Sequence, residues 1–144
     1  MKKCGLSQKE LIDAYMKEIR SHLELAVPVW HSGLTLEQQI QIERIQKMSL
    51  SVILGKSYIS YEHALETTAL KRLSVRRENI CLKFINKNMK SERPMLEKVA
   101  KIQNTRSDIN LAKEIQCRTN AYFESSLPFL ARKYNQNLNK KKGA

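Results

Sequence analysis

The sequence predicts a mainly α-helical fold, a small helical domain of about five helices followed by an irregular C-terminal segment and a basic tail. Three observations carry this. Only 4 glycines and 3 prolines occur in 144 residues, which leaves long stretches without a turn-forming residue. Capping boxes stand at Ser7 with Glu10 and at Thr35 with Gln38, each ahead of an apolar run. Behind both boxes the apolar residues recur at helical spacing.

Ser7 and Glu10 open the first helix, predicted over 8–27. Ile12, Tyr15, Met16, Ile19, Leu23, Ala26, Val27 and Trp30 fall within an arc of roughly 120° at helical pitch, so Ile12, Met16, Ile19 and Leu23 are expected in a core. Pro28, lacking an N–H, is expected to bend or end this helix. His31-Ser32-Gly33 breaks the pattern, Thr35 opens a second helix, and Gly55 closes it. Ile42, Ile45, Met48, Val52 and Ile53 form one stripe on that helix, and Leu36, Ile40, Leu50 and Leu54 lie on another side. Such a helix is expected between neighbours.

Tyr58 to Leu70 reads as a loop and a short helix capped by Ser60, with Tyr61, Ala64 and Leu65 inward. From Leu70 to Met89 the pattern is helical again, with a break allowed at Ser74, and Leu73, Ile80, Cys81, Leu82, Phe84, Ile85 and Met89 spread over a wide apolar arc. Arg93-Pro94 suits the first turn of a short helix carrying Met95, Leu96, Val99 and Ile102. Residues 104–125 read as irregular. Ser126-Leu127-Pro128-Phe129-Leu130 resembles a helix start that carries through Tyr134, and Asn135 to Ala144 reads as a frayed basic tail. The expected organisation is therefore a helical domain over 1–103 and a weakly structured extension over 104–144, with its short helix near 127–135.

Charge is the informative part of the composition. The 26 Lys+Arg against 14 Asp+Glu give +12, which suits an anionic partner. Residues 1–60 hold 8 basic and 6 acidic groups, residues 61–144 hold 18 and 8, so the excess lies in the later part. Hydrophobic residues at 42% suffice for a packed core. Cys4, Cys81 and Cys117 are too far apart for a zinc motif or a disulfide framework, and reduced thiols imply an intracellular site, cytoplasmic or nuclear. Met1-Lys2-Lys3 is followed by Ser7, Gln8, Lys9 and Glu10 rather than by a signal peptide's apolar run. No stretch approaches the roughly 20 apolar residues of a membrane span, so no membrane partner is expected.

Motifs for catalysis are missing. Asp13 and Asp108 are too far apart in the chain to suggest a paired-aspartate metal site, and His22, His31 and His63 have no identifiable nucleophile or acid beside them. Neither a phosphate-binding glycine loop nor a H-E-x-x-H or G-x-S-x-G motif occurs. The reading is of a protein that is not an enzyme and needs no cofactor or metal.

The basic residues are more informative. If residues 72–90 form one helix, Arg72, Arg76, Lys83, Lys87 and Lys90 fall within about 60° of one another. Such a stripe suits successive phosphates of RNA or DNA, contacted without reading base identity. A merely solvated helix face fits the same composition equally well. Arg77 falls on the apolar side, between Phe84 and Cys81, where a guanidinium needs a partner, and Glu43, Glu62 and Glu66 are the candidates. Trp30 and the Tyr15, Tyr58 and Tyr61 rings suit packing better than base stacking, since Trp30 and Tyr15 share a stripe with aliphatic residues.

Several runs together resemble a known family. Ile19-Arg20-Ser21-His22-Leu23-Glu24-Leu25-Ala26-Val27-Pro28-Val29-Trp30-His31-Ser32-Gly33-Leu34-Thr35 is similar to the stretch after the palm in reverse transcriptases of non-LTR (LINE, jockey-like) retrotransposons. Ile42-Glu43-Arg44-Ile45-Gln46-Lys47 resembles the family's I-E-x-I-Q-K helix, Tyr58 to Leu65 its Y-x-x-Y-x-x-A-L segment, and Leu73 to Phe84 its L-x-x-R-R-x-x-x-C-x-x-F pattern. Cys117-Arg118-Thr119 with Ser126-Leu127-Pro128-Phe129-Leu130 is similar to its closing pattern. The resemblance runs from about Leu6 to Asn135 and implies the thumb and post-thumb region, which in the family grips template and primer. It also implies that the fingers and the palm, with the metal-binding Y/F-x-D-D aspartates, would lie before Met1.

The function expected from all this is a non-catalytic nucleic-acid-binding fragment or relic of a retroelement reverse transcriptase. Its partners would be RNA or DNA through phosphates, and the missing polymerase portion or another protein. The alternatives are a helical protein-interaction module, which a large apolar patch on the first helix would favour, and an element-derived reading frame without selected function.

Overall fold

Ser7 and Glu10 form the box that their spacing predicts. The Ser7 hydroxyl accepts from the Glu10 N–H at 3.4 Å and the Glu10 carboxylate accepts from the Ser7 N–H at 2.7 Å, so Ser7 holds the Glu10 carboxyl below the usual carboxylate range. This opens α1 (Gln8–Ala14) in a computed structural model that describes residues 5–91, 98–99 and 111–142. The first helix then departs from regular geometry. Tyr15–Ile19 is a π turn, in which the Arg20 N–H donates to the Tyr15 carbonyl, and α2 (Arg20–Glu24) follows directly. The Ser21 hydroxyl and His22 Nδ1 donate to carbonyls of Lys17 and Glu18, side-chain bonds that accompany the widened turn.

A π turn absorbs one extra residue, which rotates everything beyond it by about 100° against an unbroken α-helix. The buried face changes accordingly. Tyr15 is buried, Ile12, Met16 and Leu23 are half-buried, and Ile19, expected in the core, is 41% exposed. The helix also ends at Glu24, before Pro28. Leu25 is extended at ψ 126°, and Ala26 takes the left-handed φ of 52°. Pro28 then lies in the first turn of α3 (Val27–Trp30), where its missing N–H has no intrahelical bond to lose.

Thr35 and Gln38 close the second box at 3.3 and 3.0 Å and start α4 (Leu36–Leu54), which Gly55 ends at φ 54°. Ser60 caps α5 (Tyr61–Thr68) by accepting from the His63 N–H at 3.2 Å. The end of α5 is a Schellman turn, with Ala69 N–H on the Glu66 carbonyl and Leu70 N–H on that of Leu65. Ala69 holds the left-handed position at φ 53°, which glycine usually fills. From Leu73 the helix α6 (Leu73–Met89) runs without a break.

These elements assemble into two compact units, Met1–Val27 with Leu34–Arg77 and Pro28–Gly33 with Glu78–Ala144. In the first, Tyr15, Leu50, Ile53, Leu54, Ala64 and Leu65 form the core, with Leu11, Ile12 and Leu70 packed against it. Both α1 and α5 lie on α4, and they use one side of it. Leu50, Ile53 and Leu54 are buried there, but Leu36, Ile40, Ile45, Met48 and Val52 are exposed. The expectation of a helix enclosed by neighbours is therefore not met within this unit. Gln46 is fully buried and donates to the Lys71 carbonyl at 3.2 Å, fastening the α5–α6 connection to α4.

Tyr15 yields a test of this core. Its hydroxyl is buried with no hydrogen-bond partner among the described residues, and burial pushes the phenol up to about 12. A phenol pKa raised above its unfolded value of about 10 stabilises the fold fully below pH 10, and that contribution disappears as pH rises through 12. Tyr15→Phe is expected to be neutral or to stabilise by up to about 1 kcal/mol at pH 7. In urea unfolding it should also reduce the loss of stability across that alkaline window. A large destabilisation at pH 7 would show that the hydroxyl is bonded after all.

In the second unit β1 (Lys98–Val99) pairs antiparallel with β2 (Leu111–Ala112), Lys98 opposite Ala112 and Val99 opposite Leu111. The helix expected from Pro94 through Ile102 is thus replaced at Lys98–Val99 by a strand, and its remaining residues lie outside the described residues. Residues 113–119 are irregular, as expected, but α7 (Asn120–Phe123) follows, capped by Thr119. The last helix, α8 (Ser126–Lys142), passes well beyond Tyr134, so the expected frayed tail is helical as far as Lys142. An internal anchor explains the extension. Asn135 clamps β2 with both ends of its amide, its Oδ1 accepting from the Ala112 N–H at 2.9 Å and its Nδ2 donating to the Ala112 carbonyl at 3.0 Å.

Helix α8 packs on residues far before it in the chain, since Phe129 meets the His31 ring edge-on at 5.7 Å and Lys133 lies 3.4 Å from Glu78.

Candidate nucleic-acid interface

Helix α6 is the element that sets out the predicted basic stripe. Leu73, Arg77, Cys81, Ile85 and Met89 are buried, each four residues from the next, and they define its inner row. Arg76, Lys83 and Lys87 stand on another face, with Arg72 one residue before the helix and Lys90 one after it. Within α6, which runs from Leu73 to Met89, Arg76, Lys83 and Lys87 fall within an arc of about 60°, whereas Arg72 and Lys90 lie just outside the helix.

The start of α6 is capped from a distance. Glu43 on α4 accepts from the Leu73 and Ser74 N–H groups at 3.2 Å each, and from the Tyr61 hydroxyl at 2.5 Å. A carboxylate there meets the unpaired N–H groups and the positive end of the helix dipole. Burial and the bond to Glu43 push the Tyr61 phenol well above its ordinary value. Of the carboxylates considered for Arg77, Glu43 caps α6 and Glu62 pairs with Arg72. Arg77 itself is fully buried, as its place on the apolar side predicts.

The stripe divides by charge state. Arg76 holds Glu24 with two nitrogens, Nε and Nη2, the latter at 2.9 Å, and this bond raises the Arg76 pKa. Glu24 is only 15% exposed, and Arg20 approaches the same carboxylate at 3.9 Å. A two-point ion pair of that kind uses up the fork that a phosphate would need. Arg72 lies 2.7 Å from Glu62, but both side chains are more than half exposed, a setting in which such pairs contribute only about 0–1 kcal/mol. Lys83, Lys87 and Lys90 are exposed, and no carboxylate among the described residues pairs with them. They lie in the more basic unit, which carries 14 basic and 6 acidic residues against 12 and 8 in the other.

The correction to the sequence reading is therefore specific. Arg76 belongs to the stripe by geometry but is neutralised by Glu24, fifty-two positions away in sequence. Nothing local in the chain signals that pair. Other residues singled out by sequence are dispersed: Asp13 and Trp30 are half-buried on α1 and α3, and Asp108 lies outside the described residues. Cys81 and Cys117 form no disulfide. Among the described residues no group of three His, Cys, Asp or Glu side chains is placed to hold a metal ion, and no helix is long and apolar enough to cross a membrane. No family model matches the chain, and neither does any curated protein or solved structure.

Proposed function

We propose that the chain is a nucleic-acid-binding region akin to the thumb of a retroelement reverse transcriptase, holding the phosphates of a template–primer through one face of α6. The observation that carries this reading is the set of exposed lysines Lys83 and Lys87 on one face of α6 and Lys90 just beyond its end, free of carboxylate partners among the described residues. Their spacing suits successive phosphates, and ammonium groups bind these as point charges without reading sequence. The resemblance of the chain's motifs to the thumb region of non-LTR reverse transcriptases supports the same partner.

The test is a salt titration of binding to a primer–template duplex. Each lysine replaced by glutamine is expected to lower the log–log salt slope by roughly 0.9 and to weaken all sequences about equally. Arg76→Gln is expected to leave the slope unchanged, because its charge is already paired with Glu24. If the lysine variants keep the wild-type slope, the stripe is only a solvated face.

A second reading, a helical protein-interaction module, is favoured by one feature of the first unit. Leu11, Tyr15, Ile19, Ile45, Met48 and Val52 line an open apolar groove of about 530 Å³ between the first helix and α4. Exposed apolar surface of this kind marks interaction sites. Salt-insensitive binding to a protein partner, with no affinity for the duplex, would decide for this reading.

A further inference from the structure

We infer that Tyr122, Phe123 and Arg132 in the second unit form a stacking site for unpaired bases of a single nucleic-acid strand. The inference rests on the nucleic-acid reading above and adds to it the kind of strand recognised. Tyr122 and Phe123, the last residues of α7, are 46% and 48% exposed. Over Phe123 lies Arg132 of α8, its guanidinium carbon 3.6 Å from the ring centroid, while its Nη2 donates to the Phe123 carbonyl at 2.8 Å. Ring and carbonyl together hold the guanidinium in place, so its flat face is set before any ligand arrives.

The chemistry of this cluster selects the partner. A partner of purely apolar character would meet an uncovered ring, whereas here the ring carries a cation that donates to a neutral carbonyl and pairs with no carboxylate among the described residues. Lys133, the next residue, contrasts with it, since Glu78 lies 3.4 Å from its ammonium. Residues 111–142 hold 7 basic and 2 acidic groups, so the surroundings favour an anion. A polyanion with flat π faces satisfies ring, guanidinium and field together, and bases stack on both aromatic and guanidinium planes. Within a duplex those faces are covered by neighbouring base pairs. Only an unpaired strand presents them.

The experiment compares, with the full chain, a fluorescein-labelled oligothymidylate and a strand of equal length whose bases are replaced by abasic sites. Phosphate number is the same, so any difference reports the bases. The intact strand is expected to bind about tenfold more tightly. Phe123→Leu keeps apolar bulk but not the aromatic face and should erase that preference, whereas Phe123→Tyr, which conserves the ring and the fold, should retain it. Salt slopes should not change in either variant. Equal affinity of the wild type for the two strands, or a preference that survives Phe123→Leu, overturns the stacking site and leaves the lysine reading of α6 standing. Absence of binding to both strands overturns both.

Discussion

Replacing Arg77 with alanine is expected to lower the free energy of unfolding by about 3–5 kcal/mol. The guanidinium is fully buried within a row otherwise made of Leu73, Cys81, Ile85 and Met89, and it belongs to the largest fully buried side chain among the described residues. Truncation to alanine removes that whole side chain from a packed site and leaves a cavity that the surrounding residues close only in part. Arg77→Lys should recover little, because a lysine keeps the charge but not the planar fork. Urea unfolding of both variants at neutral pH is the measurement. A midpoint within error of the wild type would mean that the site relaxes to admit water, and that the row is not a core. The salt dependence of duplex binding should be untouched in any variant that folds, which separates Arg77 from the exposed lysines of the same helix.

Leu50→Ala is expected to cost about 2–5 kcal/mol, the range for emptying a leucine site in a packed core. Leu50 is fully buried in the cluster with Tyr15, Ile53, Leu54, Ala64 and Leu65. Leu23→Ala provides the contrast. The periodicity of the first helix places Leu23 on the inner stripe, yet it is only half-buried, so its truncation should cost nearer 1 kcal/mol. Equal losses at the two positions would show that the register shift introduced by the π turn does not persist in solution.

That contrast also marks how far the fold was legible in the residues. The boxes at Ser7 and Thr35 and the cap at Ser60 are local, each settled by side chains within three positions of the backbone groups they serve, and the stop at Gly55 by that residue's own access to positive φ. The inward position of Arg77 and the alignment of Lys83 with Lys87 follow from helical pitch once α6 is continuous. The π turn at Tyr15–Ile19 carries no such local signature. It shifts the inward set away from Ile19, which periodicity counted as core.

The length of α8 was hidden for a related reason. Asn135 and the lysines beyond it have modest or charged side chains that suggest fraying, but Asn135 is anchored on Ala112, twenty-three residues earlier. The candidate interface divides in the same way. Spacing along the chain placed five cations on one stripe, because the angle between residues on a helix depends on backbone geometry alone. Which of them remain available to an anion was decided by Glu24 and Glu62, brought beside Arg76 and Arg72 by the packing of the first unit. The sequence by itself determined the capped starts of α1, α4 and α5 and the burial of Arg77 on the inner row of α6, all of which depend on short-range spacing. Only the tertiary structure decided which charges are paired and which apolar faces stay open, since these depend on contacts between residues far apart in the chain.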